Sequence, residues 1–213
     1  MIMRKLSPLD RFIGLLDQGI NTVFAEPIAK HPYPADAAPH VELGAGERAL
    51  AARLMRVNHA GEVAAQALFR GHALTAHTPV VRAQMERAAD EETDHLAWCA
   101  RRIEELGSHT SVLNPLWYMG SFAIGALVGK AGDKWSLGFV AETEQQVVAH
   151  LEKHLQTLSS EDKPSRAILE QMRQDEAQHA TVAIKAGAAA LPTPVKKVMS
   201  AVARVMTGTA YWV

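Results

Sequence analysis

The sequence predicts an all-α protein: a four-helix bundle around a dinuclear metal centre, with accessory amphipathic and apolar helices outside it. Three observations predict this. Two stretches, Glu91-Glu92-Thr93-Asp94-His95 and Asp175-Glu176-Ala177-Gln178-His179, share one pattern, an acid followed by Glu-x-x-His. Residues three apart on a helix share a face, so each stretch aims a carboxylate and an imidazole at one point. Second, Glu62 lies thirty residues before Glu92 and Glu144 thirty-two before Glu176, so a unit of Glu helix followed by Glu-x-x-His helix occurs twice. Dinuclear carboxylate bundles are built from this set, all six side chains pointing inward. Third, hydrophobic residues make up 48% of the chain but aromatic ones only 6%, and alanine is abundant, which suits closely packed helices better than sheets.

A chain of 213 residues is long enough for one well-buried domain with ends to spare. We divide it into residues 1–46, an N-terminal amphipathic helix and Pro-rich arm, and residues 47–213, the metal-binding bundle. A formal net charge of -1 gives no general attraction to nucleic acid, which is excluded as a partner. The single cysteine, Cys99, rules out an internal disulfide and fits a reducing compartment. The first ten residues carry Arg4 and Lys5 but are broken by Pro8 and Asp10 and have no long apolar run, so they do not read as a signal peptide.

Along residues 9–24, Phe12, Ile13, Leu16, Ile20, Val23 and Phe24 recur at helical spacing between Arg11, Asp17 and Gln18. This amphipathic helix either packs its stripe on the body or lies at a membrane surface. Residues 26–46 hold Pro27, Pro32, Pro34 and Pro39 and read as a linker or arm. A long helix is expected over 47–77, ended by Thr78-Pro79, with Glu62 on an apolar stripe between Met55 and Phe69. A second, over 80–106 and stopped by Gly107, carries Met85, Ala88, Glu92, His95, Leu96, Cys99 and Ile103 on one face. Residues 115–129 contain no charge. As a helix they would cover about 22 Å, short of the roughly 30 Å hydrocarbon core, so they read as a crossover between the two halves or a segment dipping into one leaflet.

A helix over 134–158 places Glu144 on a stripe with Leu137, Val140, Val147, Val148 and Leu151. Glu142 competes for this role, but its neighbours Gly138, Gln145 and Gln146 form a more polar face and point it to solvent. The last core helix, over 165–190, carries Leu169, Met172, Glu176, His179, Ala180 and Ala183 inward and is stopped by Pro192 and Pro194. A short helix over 195–206 follows, and the aromatic, uncharged end Tyr211-Trp212-Val213 is expected to dock.

A carboxylate buried without a partner costs several kcal/mol or more, so four of them on four apolar stripes need positive charge between them. Two divalent cations balance four carboxylates, and two neutral imidazoles complete the ligand set. Oxygen and nitrogen ligands without thiolate favour iron or manganese over structural zinc. The candidate metal ligands are Glu62, Glu92, His95, Glu144, Glu176 and His179. Metal-bound imidazoles donate their other N–H to an acid. Asp175 is therefore expected to reach His95, and Glu91 to reach His179. His150, His154 and His59 read as surface or satisfied core residues, or as supports behind the metal ligands, and His31, His40, His72, His77 and His109 as ordinary residues of loops and helix ends.

The run Leu54-Met55-Arg56-Val57-Asn58-His59-Ala60-Gly61-Glu62, with the two Glu-x-x-His stretches and Glu144, resembles the demethoxyubiquinone hydroxylases of ubiquinone biosynthesis, which are ferritin-like di-iron monooxygenases. The likeness covers residues 50–213, and its iron ligands fall on the same six positions. It implies two Fe ions per chain, O2 as co-substrate, and hydroxylation of the ring of a polyprenyl demethoxyquinone or demethoxyquinol. It further implies a peripheral protein on the cytoplasmic side of the cell membrane, with other ubiquinone-biosynthesis proteins as partners. The electrons would come from NADH, from the quinol itself or from a reductase, since no Gly-x-Gly-x-x-Gly occurs. The rivals are a ferritin-like ferroxidase or iron-handling protein, for which the uncharged 115–129 segment is poorly suited, and a non-catalytic quinone-binding scaffold, against which six ligands count.

Overall fold

The computed structural model describes residues 7–39 and 41–213; Arg4, Lys5 and His40, and the side chains of Arg11 and Phe12, lie outside the described set. Among the described residues there are seven α-helices and no strand: α1 (Pro8–Phe24), α2 (Ala45–Thr75), α3 (Pro79–Glu105), α4 (Asn114–Lys130), α5 (Asp133–Thr157), α6 (Lys163–Lys185) and α7 (Thr193–Ala210). Helices α2, α3, α5 and α6 form the bundle, each hairpin closely paired and the α3/α6 seam more open.

Local chemistry sets the helix ends. The Ser7 hydroxyl accepts the N–H of Asp10, whose carboxylate accepts that of Ser7, which starts α1. Thr78 caps α3 ahead of Pro79, and Asp162 caps α6 ahead of Pro164. Asp133 accepts the N–H groups of His77 and Thr78 (2.8 and 3.0 Å), tying the α2–α3 turn to the start of α5. Helix α6 ends at Lys185, five residues before the expected end, because Gly187 adopts φ 100° and turns the chain away. Helix α7 runs four residues further than expected, to Ala210. Its end docks only in part: Ala210 is buried and Tyr211 half-buried under Arg53, while Trp212 and Val213 are exposed.

Helix α4 crosses from the first hairpin to the second along the outside of α2. It is not buried all round: Gly125 and Gly129 face α2, while Leu116, Met119 and Leu127 face outward. A Cβ at Gly125 would stand 2.2 Å from the Leu68 carbonyl oxygen, a backbone atom that cannot step aside. Gly125→Ala is expected to cost at least about 1–3 kcal/mol. At Gly120 a Cβ meets open space, and Gly120→Ala is expected to gain about 0.5–1 kcal/mol. Paired thermal melts check both.

The apolar stripe of α1 also points outward. Ile13, Leu16, Ile20 and Phe24 are exposed, Phe24 to 73%. On the side facing the body Val23 packs against the Val63, Ala67, Leu96 and Tyr118 cluster, the Thr22 hydroxyl donates to Gln66 Oε1 (2.8 Å), and Gly19 admits the Tyr118 ring.

One residue read as unremarkable is built into the core. His72 is fully buried on α2 with its Nδ1 2.6 Å from the Ser136 hydroxyl, and burial pulls its imidazole down to about 4. A base held neutral by folding contributes stability above its ordinary pKa of 6.5 that is lost as pH falls toward 4, at up to about 1.4 kcal/mol per pH unit. His72→Asn is expected to flatten the decline in stability between pH 6.5 and 4, measured by denaturant titration. Glu142 does not face solvent, because α7 lays Lys196 against it.

Candidate metal centre

The six predicted ligands converge in one layer at mid-bundle. Glu62 from α2, Glu92 and His95 from α3, Glu144 from α5 and Glu176 from α6 are at most 4% exposed, and His179 from α6 is half-buried. Apolar side chains close the layer on both sides. Met55, Cys99, Leu151, Leu169 and Met172 pack toward one end of the bundle, and Phe69, Met85, Leu137, Val140 and Ala183 toward the other.

The donor atoms of Glu62, Glu92, His95 and Glu176 all lie within 4.8 Å of one another. His95 Nδ1 stands 2.9 Å from Glu92 Oε2, 3.3 Å from Glu176 Oε1 and 3.7 Å from Glu62 Oε2. His179 Nδ1 stands 3.3 Å from both Glu92 Oε1 and Glu176 Oε2. Glu92 and Glu176 thus turn one oxygen to each imidazole, while Glu62 lies on the His95 side. Glu144 joins from α5, its carboxyl raised well above the ordinary range by burial and by Glu176.

On the far side of each ring, His95 Nε2 is 3.1 Å from Asp175 Oδ2 and His179 Nε2 is 3.1 Å from Glu91 Oε2. With Nε2 donating to these acids, His95 Nδ1 turns its lone pair toward three carboxylates and His179 Nδ1 toward two. That is a set of electron-pair donors around a volume that suits a cation. Among the described residues no Lys or Arg pairs with any of the four glutamates, and Glu62 Oε2 and Glu144 Oε1 accept no hydrogen bond. Oxygen and imidazole donors without sulfur fit first-row divalent ions such as iron.

Without metal, protons supply the balancing charge. Burial holds Glu62 well above the carboxylate range, and Glu144 follows it. Burial disfavours charge on His95 and His179, but the facing carboxylates outweigh it, raising both and His179 to about 11. Burial and mutual repulsion push Glu92 and Glu176 up, the two imidazoliums pull them down further, and both end below the ordinary value.

The pattern search missed one residue here. Asp94 lies between the two ligands of α3 and turns away from them, yet is 5% exposed. It accepts the backbone N–H of Lys30 and bonds the His31 imidazole of the arm. Beside it, a cavity of about 700 Å3 opens along the α3/α6 seam, bordered by His31, Asp94, His95, Trp98, Asp175 and His179 and running up to Phe69, Leu137 and Val140. His150 and His154 are neither surface residues nor satisfied: their rings lie 4.0 Å apart, tilted by 58°, burial holds them down to about 4 and about 3, and His154 Nδ1 has no partner. His59 is buried, lowered to about 4, with Asn114 its neighbour at 3.4 Å.

Residues 49–210 match the family model described as ubiquinone biosynthesis protein COQ7. A 3-demethoxyubiquinol 3-hydroxylase of Nitrosococcus oceani is 58% identical over 211 residues, 99% of each chain. Proteins of the same name from Dechloromonas aromatica and Bordetella pertussis are 53% and 52% identical, covering 97% and 98% of this chain and 99% and 95% of their own length.

Proposed function

The chain belongs to the ubiquinone biosynthesis protein COQ7 family, and from that premise we propose that it is a 3-demethoxyubiquinol 3-hydroxylase with a di-iron centre held by the six-residue layer. The observation that carries this reading is the pairing of near full-length identity to enzymes of that name with a layer of four buried carboxylates and two imidazoles. His95 Nδ1, Glu62, Glu92 and Glu176 would hold one ion, and His179 Nδ1, Glu144, Glu92 and Glu176 the other. When bound, two ferrous ions supply the means to activate O2. One oxygen atom enters the ring C–H bond as hydroxyl, the other leaves as water, and two electrons and two protons are consumed.

The protein's own part is to bind, orient and exclude. Asp175 and Glu91 fix the imidazole tautomers by accepting from Nε2. The apolar layers keep bulk water from the carboxylates and strengthen every charge interaction there. The α3/α6 cavity brings a ring to the edge of the ligand histidines, its apolar end suiting an isoprenoid chain.

Such a substrate resides in lipid, and we assign the outward apolar face of α1, with those of α4 and α7, to the membrane surface. No helix among the described residues is long and apolar enough to cross a membrane. We place the protein peripherally, on the cytoplasmic side of the cell membrane, through these outward apolar faces. NADH, the quinol or a reductase remain the three candidate electron donors, and other ubiquinone-biosynthesis proteins the candidate partners.

Mass spectrometry of quinones from cells lacking the chain, complemented with wild type or Glu144→Ala, tests this. Accumulated demethoxyquinone that wild type clears and Glu144→Ala does not is the expected result. Normal quinones in the deletion strain would favour the ferroxidase instead.

A further inference from the structure

Resting on the quinol reading above, we propose that residues 30–34 of the arm are the wall against which the substrate ring is positioned, and that Asp94 is the positioning residue that holds this wall. Asp94 is a buried carboxylate that pairs with no Lys or Arg side chain among the described residues. Asp94 accepts backbone N–H groups from Lys30 and His31 and bonds the His31 imidazole through Nδ1. A carboxylate removed from water is tolerated only when hydrogen-bonded, and here every partner comes from the arm.

The arm is anchored beyond that point as well. Tyr33 is 7% exposed, lies under the Arg101 guanidinium at 3.9 Å and donates its hydroxyl to Glu105 (3.1 Å). Asp36 pairs with Arg101 at 2.8 Å, and Ala35 sits in the core cluster. With Pro32 and Pro34 fixing φ, the segment between these anchors is stiff.

What it borders gives it a role. His31, Pro32 and Pro34 line the α3/α6 cavity beside His95, Trp98 and Asp175. The cavity therefore has a polar end, closed by the arm at the level of the ligand histidines. Its other end is mainly apolar, made by Phe69, Met85, Leu137, Val140 and Val182, with Gln84 and Arg87 of α3 as the polar side chains beside them. A molecule with an oxygenated ring and an isoprenoid tail matches that gradient in one direction only, ring against the arm and tail toward Phe69. Asp94, one residue before His95, then couples the wall to the helix that carries the ligand.

The test uses the full chain without iron and a short-tailed methoxybenzoquinone, whose binding is read by quenching of tryptophan fluorescence. His31→Ala and Asp94→Asn are expected to weaken binding about tenfold, and Trp98→Phe to remove most of the quenching. In the iron-loaded protein the same two variants raise KM about tenfold while kcat stays within about twofold. His31 carries the test if Asp94→Asn also loses iron, because its side chain is 74% exposed and touches none of the six ligands. Wild-type affinity in His31→Ala, or full quenching in Trp98→Phe, overturns the inference. If cells clear demethoxyquinone with His31→Ala at wild-type KM, only the arm's role fails. If wild type neither binds the quinone nor clears it in cells, the quinol reading fails.

Discussion

Glu176→Ala is expected to empty both metal positions at once and to lower hydroxylation below about 1% of wild type, a loss on the order of 3 kcal/mol or more of transition-state stabilisation. The reason is its double duty: Oε1 stands 3.3 Å from His95 Nδ1 and Oε2 3.3 Å from His179 Nδ1. Glu92 is placed the same way, at 2.9 and 3.3 Å. Glu62 lies on the His95 side alone. Iron per chain after reconstitution separates the cases, near zero for Glu176→Ala or Glu92→Ala and near one for Glu62→Ala. Retention of both irons in Glu176→Ala contradicts the shared-carboxylate geometry.

The second large effect is on the metal-free chain. Burial raises Glu62 and Glu144 above their unfolded value of 4.5, and facing carboxylates raise His95 and His179 above 6.5. Groups whose folded pKa is raised lend stability below the unfolded value and lose it as pH climbs through the folded one. Each therefore destabilises metal-free protein by up to about 1.4 kcal/mol per pH unit in its window, beginning near pH 4.5 for the glutamates and 6.5 for the histidines. Glu92, Glu176 and Asp175 shift down and act oppositely, losing their contribution only as pH falls below the ordinary carboxylate range. The metal-free chain should accordingly lose stability steadily from pH 6 to 9, while ferrous-loaded protein does not, since metal replaces those protons. Loading at neutral pH should release protons, from the raised glutamates and from the imidazoles. Melting curves across that range and calorimetry in buffers of different ionisation heat check both. A flat metal-free profile would contradict the charge accounting.

The convergence of the carboxylates and histidines was legible because its rule is local. Glu92 with His95 and Glu176 with His179 obey the spacing of a single helix, and Glu62 and Glu144 betray themselves as acids on apolar stripes. The helices were legible for the same reason, with errors where a stop depends on backbone geometry: alanines continue past Lys185, and only the conformation at Gly187 ends α6. What periodicity cannot say is which neighbour a face receives. The α1 stripe is plain in the sequence, but its outward direction follows from Thr22 meeting Gln66 on the opposite side. Asp94 lies on the face of α3 turned away from Glu92 and reads as solvated until an arm more than sixty residues upstream covers it. Glu142 was misplaced for the same reason, its cover arriving from α7.

The most direct test of the central claim is the source of the new ring oxygen. Ferrous-loaded full chain, given a short-tailed demethoxyquinol, a reductant and 18O2 in ordinary water, is expected to yield hydroxylated product carrying one 18O atom per new hydroxyl, and none when the label is in the water. Product without 18O from 18O2, or iron oxidation with no ring hydroxylation, would contradict a monooxygenase.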